Sequence, residues 1–160
     1  MERTISGMMG KGSVNHNTRA FSAKNVDKER SRDNVDFCHE DIKAVYHELF
    51  DEALERYNAK QKRSDRKIEN YYEKIRQGKQ EKLFYEVIFQ IGNRDDMNVR
   101  SEEGQLAKQI LSDFMADFQS RNPNLHVFSA HLHMDEETPH IHIDFVPVIT
   151  GSKRGLDTRV

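Results

Sequence analysis

The stretch SAHLHMDEETPHIHIDFVPV, residues 129–148, decides the fold of this chain. Read with a period of two, it predicts a strand, an acidic turn at residues 135–139 and a second strand. One face of the second strand is apolar, as a side that faces a core should be, and it carries Ile141, Ile143 and Phe145. The opposite face is polar. The stretch therefore predicts an antiparallel hairpin with one face in the core and one face available for chemistry.

The polar face of this hairpin gathers three histidines. His133 ends the first strand, while His140 and His142 alternate on the second, so the turn should bring the three imidazoles together. Neutral imidazole is the commonest side-chain metal ligand, and three histidine ligands leave positions open for water or substrate. A histidine on a strand is usually no more than a polar residue on a half-buried face, but this spacing and the acidic turn favour a catalytic metal site.

Composition limits the classes of protein that the chain can represent. Its 160 residues suit one domain with a real core. The 25 Lys and Arg against 27 Asp and Glu argue against a protein that simply coats nucleic acid, although residues 60–82 hold nine basic and four acidic side chains. The single Cys38 excludes an internal disulfide and fits a reducing cytosol. No signal peptide or long apolar run stands in the sequence, so we expect no membrane segment.

Hydrophobic periodicity predicts the order strand, long loop, two helices, strand, helix, strand, strand. The expected strands before the hairpin are residues 3–9 and 83–91, and the expected helices are 39–57, 64–77 and 101–121. The last helix is expected to present one apolar face, made of Leu106, Ile110, Leu111, Phe114, Met115 and Phe118. This order predicts an α+β fold, a central antiparallel sheet backed by helices. The ending SKRGLDTRV has no stop signal, so we expect residues 1–160 to be one domain from a longer protein.

The polar segment at residues 15–34 is where a nucleophile is expected, because a long irregular stretch inside a compact domain is usually functional or disordered. His16 is its one side chain that is nucleophilic near neutral pH without activation, since imidazole titrates close to 6.5. Arg19 lies three residues on and could hold a phosphate bidentately. Tyr46, the first tyrosine, falls on the apolar stripe of the helix at 39–57 and is badly placed for attack. Taken alone, His16 would read as an exposed loop histidine.

Three blocks of the sequence resemble the catalytic domain of plasmid mobilisation relaxases of the Mob/Pre type, also called MobV. That type belongs to the endonucleases named for a His-hydrophobic-His motif. The blocks are His16-Asn17-Thr18-Arg19, NVDKERS at 25–31 with Asn34, and HMDEETPHIH at 133–142. The last block fits the pattern His-x-Asp-Glu-x-x-Pro-His-x-His at every fixed position. The blocks stand in the order of the family and bracket nearly the whole chain, so the resemblance implies one relaxase catalytic domain at the N-terminus of its protein.

The resemblance implies an enzyme that nicks and rejoins one DNA strand at a transfer origin. A divalent ion, Mn²⁺ or in the alternative Mg²⁺, would bind His133, His140 and His142 and polarise the scissile phosphate. His16 would attack the phosphorus, leaving a 5′-phosphoramidate on the protein and a free 3′-OH. The implied partners are single-stranded or supercoiled origin DNA in the bacterial cytoplasm and, through a C-terminal region, a second copy and coupling proteins.

Further residues match the family pattern. Arg19 would steady the phosphate, and Glu136 would orient a ligand histidine or accept a proton. The remaining matched residues are expected to hold the loop and contact DNA: Asn25, Asp27, Arg30, Ser31, Asn34 and Asp135. Two residues lie outside the pattern; we expect Asp144 to hydrogen-bond near the site and His131 to be an incidental strand histidine.

Two other classes of function stay open on the residues alone. A metal-dependent hydrolase of a small phosphate or ester could use the same three histidines but would not need His16. An inactive single-stranded DNA-binding module would bind without metal and would form no covalent product.

Overall fold

The computed structural model of the protein describes residues 4–21, 23–93 and 95–149. Its centre is a five-stranded sheet in the order β1-β3-β5-β4-β2, antiparallel throughout. The strands are β1 (Ile5–Met9), β2 (Val35–His39), β3 (Tyr85–Ile91), β4 (Leu125–His133) and β5 (His140–Pro147). The helices are α1 (Val14–Asn17), α2 (Ile42–Ala59), α3 (Tyr71–Gln77), α4 (Glu102–Ala116) and α5 (Phe118–Arg121). The α+β prediction, with a central antiparallel sheet backed by helices, is confirmed.

The hairpin quoted above is the middle of this sheet. β4 pairs with β5 so that His133 lies opposite His140, and His131 lies opposite His142. On the other side of β5, Glu86 of β3 lies opposite Asp144. The predicted pairing is therefore confirmed, and it brings a third strand with a carboxylate of its own beside the histidines.

Two apolar clusters cover the two faces of the sheet. On one face, Ile141 and Ile143 of β5, which have no exposed surface, pack in one cluster with the equally buried Leu111 of α4. On the other face, α2 and α3 cover one end of the hairpin, where Val146 packs with Tyr46 and their neighbours. Because these helices occupy one end of that face, its other end is left for the polar side chains of β4 and β5.

The segment between β1 and α2 differs from the prediction. It contains α1, a 3₁₀ turn at Ser31–Asp33 and the edge strand β2, none of which was predicted. β2 is only five residues long and pairs on one side alone, with β4, across a register shift between Asp36 and Cys38. Such a short edge strand carries too little apolar periodicity to stand out in a polar sequence.

The predicted helices keep their places but change their ends. α2 begins at Ile42 rather than at 39, because the side chain of Asp41 accepts the N–H of Lys43 at 2.9 Å. In the second predicted helix, residues 64–66 form a separate 3₁₀ turn, and α3 begins only after Asn70 caps it.

The helix predicted at 101–121 is divided at Asp117 into α4 and α5. Its expected apolar face is wrong at Leu106 and Ile110, both of which are exposed. The buried residues of the two helices instead follow each other at helical spacing and are Gly104, Ala107, Leu111, Met115 and Phe118. A Cβ atom at position 104 would stand 2.2 Å from the carbonyl oxygen of Asn98, so glycine permits the close approach that turns this face inward.

No helix in the described ranges is long and apolar enough to cross a membrane. The expected strand start at residue 3 and the segment SKRGLDTRV both lie outside the described residues.

Candidate metal and nucleophile site

Three imidazoles lie together at the turn end of the hairpin. The ring centroids of His133, His140 and His142 lie 4.9 to 5.3 Å from one another. His133 and His142 are buried, and His140 is nearly so. The structure therefore brings the three sequence-predicted ligands together rather than turning their rings apart.

Backbone carbonyls set the tautomers of two of these rings. His133 Nε2 donates to the carbonyl oxygen of Asn17 at 2.8 Å, which leaves the lone pair on Nδ1. His140 Nδ1 donates to the carbonyl oxygen of Thr138 at 2.8 Å, which leaves the lone pair on Nε2. A carbonyl on the far nitrogen is the usual partner of a metal-binding histidine, because it fixes both the tautomer and the direction of the lone pair.

The free nitrogens fit a divalent cation. His133 Nδ1 and His142 Nε2 are buried and have no hydrogen-bond partner among the described residues, whereas His142 Nδ1 lies 3.4 Å from Glu86 Oε2. Burial lowers the pKa of His133 to about 2, so this ring is neutral at any physiological pH. Buried imidazole nitrogens without partners are costly unless something binds them, and a neutral imidazole with a free lone pair is the commonest side-chain ligand of a metal ion.

His16 stands against the same cluster. The short helix α1 carries it, capped by Ser13, whose hydroxyl accepts the His16 N–H at 3.4 Å. Its ring centroid lies 6.0 Å from that of His133 and 6.1 Å from that of His142. Ligand atoms of these three histidines fall within 4.8 Å of one another, as do those of His133, Glu136 and His140. The division into three ligands and one nucleophile stays a prediction, but all the groups it needs are in one place.

Two charged side chains, Arg19 and Glu136, lie beside Nε2 of the His16 ring. Its Nε2 lies 3.3 Å from Arg19 Nη1 and 3.6 Å from Glu136 Oε1. Burial, helped by the neighbouring Arg19 cation, lowers the pKa of His16 below its ordinary value. The imidazole is therefore neutral near pH 7, which is the nucleophilic form.

Arg19 occupies a strained turn directly after α1. Its φ of 58° is left-handed, a position commonly given to glycine at a helix end. The turn is closed by N–H groups of Arg19 and Ala20, which donate to the carbonyls of His16 and Asn15. The cost of about 1–2 kcal/mol for a side chain in this conformation is offset by the bonds of the guanidinium.

The guanidinium of Arg19 already uses all five of its N–H groups. They point to both carboxylate oxygens of Asp135, to Glu136 Oε1, and to the carbonyl oxygen and Nε2 of His16. Its expected contact with a phosphate would have to share one of these donors. The contacts observed are those of a residue that positions His16 and the acidic turn.

Asp135 is the centre of the loop network. Its side chain has no exposed surface and accepts hydrogen bonds from Arg19, from Ser31 Oγ at 2.7 Å and from Asn34 Nδ2 at 2.8 Å. Burial works to raise the pKa of this carboxyl, but these donors hold it well below its usual range. The anion therefore fastens the 15–34 segment onto the acidic turn.

The remaining matched residues join the same network. Asn25 Nδ2 donates to Glu136 Oε2 at 3.0 Å, and the N–H of Asp27 donates to the Asp135 carbonyl at 2.7 Å. Arg30 pairs with Asp27 at 2.8 Å. In the described residues the second sequence block thus shapes the loop around the acidic turn, and its expected contact with DNA stays a prediction.

Two residues beside the histidines, Asn17 and Glu86, were not predicted as part of the site. They are buried together with Asp144, and the Asn17 amide donates to the carboxyl groups of Glu86 and Asp144. Glu86 Oε2 also lies 3.4 Å from His142 Nδ1. Burial and the adjacent Glu86 raise the pKa of Asp144, so the carboxyl pair retains a proton. The expected hydrogen-bonding role of Asp144 agrees with this geometry.

A signal for Glu86 was present in the sequence. It is the one charged residue in the mostly apolar run LFYEVIFQI, and a lone carboxylate in a buried strand needs a partner. Gly10 approaches it so closely that a Cβ atom there would stand 1.9 Å from Glu86 Oε1. Which partner Glu86 would find depended on the strand order β3-β5-β4, which the sequence did not reveal.

His131 lies on the same face of the sheet as the three histidines but forms hydrogen bonds to other residues. Its Nδ1 donates to Asp36 Oδ1 at 2.7 Å, and its Nε2 accepts from the Ser129 hydroxyl at 2.8 Å. This order of serine, histidine and aspartate is that of a hydrolase triad, but Ser129 has no exposed surface and no substrate can reach it. His131 is thus a structural residue rather than an incidental strand histidine, because its contacts tie β2 to β4.

Comparison with known proteins gives the following likenesses. A family profile described as plasmid recombination enzyme, Mob_Pre, matches residues 9–159. A Mn-bound crystal structure at pH 5.5 of the MobM relaxase domain (MOBV; Mob_Pre) with 22 nucleotides of plasmid pMV158 oriT DNA is 23% identical, with a TM-score of 0.52 over 97% of this chain and 77% of that one. A Mn-bound complex at pH 6.8, whose DNA ends in a 3′-thiophosphate, is 22% identical, with a TM-score of 0.53 over 96% and 76%. At this identity the structures show a shared fold. No curated protein matches the chain.

Proposed function

The chain belongs to the Mob_Pre family of plasmid recombination enzymes and is a DNA relaxase, and from that premise we propose that it nicks and rejoins one DNA strand at a transfer origin through a covalent bond between His16 and DNA. The observation that carries the proposal is the position of His16, a neutral imidazole against a cluster of three buried histidines. Relatives of the same fold are described as bound to origin DNA and Mn.

The three histidines His133, His140 and His142 would hold the metal, since their rings lie side by side and backbone carbonyls set the tautomers of His133 and His140. Bound there, Mn²⁺ or Mg²⁺ would supply Lewis-acid polarisation of a phosphate oxygen. Glu86 would help to orient His142 from behind.

His16 performs the substitution in this proposal. A ring nitrogen attacks the phosphorus, the N–P bond forms, and the bond from phosphorus to the 3′ oxygen breaks. The electron pair leaves on that oxygen, which takes up a proton to become a free 3′-OH, while the 5′ phosphate stays on the histidine. Reversal by the 3′-OH restores the strand.

Arg19 and Glu136 position the nucleophile. They lie 3.3 and 3.6 Å from Nε2 of His16, so they restrict the rotation of the ring before attack. When the N–P bond forms, the attacking nitrogen uses its lone pair, and the proton on the other ring nitrogen is released to solvent. Asp135 holds Arg19 in place and has no part in the chemistry itself.

The test is incubation of the protein with supercoiled plasmid that carries its cognate origin, with and without Mn²⁺. We expect nicked circles in Mn²⁺ and a detergent-resistant adduct at the 5′ end of the nick. The adduct should be released by mild acid, because a phosphoramidate is acid-labile whereas a phosphotyrosine is not. His16→Ala should form no adduct, and His47→Ala, which removes an exposed histidine of α2, should act as the wild type does.

The same experiment separates the two other classes. Nicking by His16→Ala at the wild-type rate would refute the histidine adduct and favour a metal-dependent hydrolase. Binding of origin DNA without any nick would favour an inactive binding module. A bacterial cytoplasmic location and assembly with a second copy or coupling proteins remain predictions.

A further inference from the structure

Phe21 is an aromatic side chain that the fold leaves in water. The chain has nine phenylalanines and five tyrosines, all within the described residues, and among them Phe21 alone is more than half exposed, at 52%. The others pack in or against the two apolar clusters. An exposed phenylalanine forgoes the free energy of burial that the others gain, so packing does not explain its position.

The exposed ring lies directly beside the proposed nucleophile. The centroids of the Phe21 and His16 rings are 5.9 Å apart, with 49° between their planes. The turn that follows α1 fixes this neighbourhood, because Arg19 is left-handed and the N–H of Ala20 closes back onto the carbonyl of Asn15. Phe21 is the next residue, so the device that positions His16 also positions the exposed ring.

The surroundings of His16 offer apolar surface on a second element as well. Met8 of β1 is 55% exposed and lines the same cleft as His16, His140 and His142. The phosphate of a phosphodiester is charged and hydrated, so apolar side chains at the reaction centre would not bind it. The bases that flank a phosphate in single-stranded DNA, by contrast, expose apolar faces once they are unstacked from their neighbours.

We infer that Phe21 is a stacking platform for the nucleobase next to the phosphate that His16 attacks. The inference rests on the proposed function and adds a binding subsite to it. Stacking on an aromatic ring is tolerant of sequence, because every base has a π-face. Phe21 would therefore contribute affinity and hold the scissile phosphate in line with His16, and sequence recognition would come from other contacts.

The test uses two fluorescein-labelled probes with Mn²⁺ present. One is an oligothymidylate of about twelve nucleotides, within the length that such sites cover, and the other is an abasic strand with the same phosphates. Fluorescence anisotropy gives the affinity of each, and the ratio measures what the bases contribute. Four proteins are compared: the wild type, Phe21→Ala, Phe21→Trp and, as a matched control, Leu106→Ala, which removes an apolar side chain of similar exposure on α4.

We expect Phe21→Ala to weaken binding of oligothymidylate by about fivefold or more and to leave the abasic strand unaffected. Phe21→Trp should keep the wild-type ratio of the two affinities, since tryptophan also presents an aromatic face for stacking. Leu106→Ala should change neither affinity. The same ratio in Phe21→Ala as in the wild type would overturn the inference, and so would equal binding of both probes by the wild type. Either result leaves the nicking activity of His16 standing. If the wild type binds neither probe and forms no adduct with origin DNA, the proposed function fails and the stacking site fails with it.

Discussion

Replacing Asp135 by asparagine should destabilise the protein more than any surface change of the same chemistry. The carboxylate is fully buried and accepts two bonds from Arg19, one at 2.9 Å through Nε, and two more from Ser31 and Asn34. Asparagine keeps the shape but removes the charge and turns N–H groups toward donors. Breaking a buried ion pair by removing one partner costs about 3–5 kcal/mol.

The expected loss lies at the lower end of that range. Glu136 still accepts one N–H of Arg19 at 2.9 Å, so the guanidinium is not left alone. A loss of about 3 kcal/mol is large against a total stability of about 5–15 kcal/mol. With an m-value of about 2 kcal/mol per molar urea, the unfolding midpoint should fall by roughly 1.5 M.

The assay is urea unfolding followed by far-UV circular dichroism, since the chain has no tryptophan. EDTA is present, so that loss of a bound metal does not contribute. Asp51→Asn is the control, because its pair with His47 is well exposed and such pairs are worth less than about 1 kcal/mol. A loss in Asp135→Asn as small as that of the control would refute the view that this anion holds the loop.

The pH dependence of the difference in stability between the wild type and Asp135→Asn gives a second check. The pKa of Asp135 is depressed in the folded protein, so its contribution is fully present above the unfolded value of about 3.9 and is lost as pH falls through the folded value. The gap between wild type and Asp135→Asn should be equal at neutral and mildly acidic pH and should shrink below about pH 4. A gap that is unchanged in strong acid would mean that the charge is not its source.

Three further substitutions test other contacts of the structure. Leu111→Ala empties a fully buried site and should cost about 2–5 kcal/mol in urea unfolding; a loss below about 1 kcal/mol would show that the α4 face collapses to fill the space. Tyr46→Phe removes a hydroxyl that donates to the Leu83 carbonyl at 2.5 Å, and it should cost about 0.5–1.5 kcal/mol by the same measurement; no loss would mean that water replaces the bond. Gly10→Ala places a methyl group against Glu86 and should weaken Mn²⁺ binding, measured by calorimetry, by about tenfold or more; unchanged affinity would show that Glu86 does not support the ligands.

The hairpin and its three histidines were determined by the sequence alone. Period-two alternation fixes which side chains of a strand share a face, and a short turn leaves little choice of register, so His133 had to meet His140. The same local logic predicted α2 and the core position of Tyr46, which is buried. It failed at Leu106 and Ile110, because the buried face of a helix depends on which residues allow a close approach, and here Gly104 and Ala107 do so.

The tertiary structure alone decided what surrounds the histidines. Glu86 joins Asp144 because β3 pairs with β5, a contact between residues 58 positions apart that no local pattern encodes. Arg19 reaches Asp135 across 116 positions and thereby becomes a support of His16 with no donor to spare. Side-chain period and turn chemistry act over a few residues and can be read directly, whereas the partner of a buried charge is set by strand order and chain crossing, which exist only in the folded molecule.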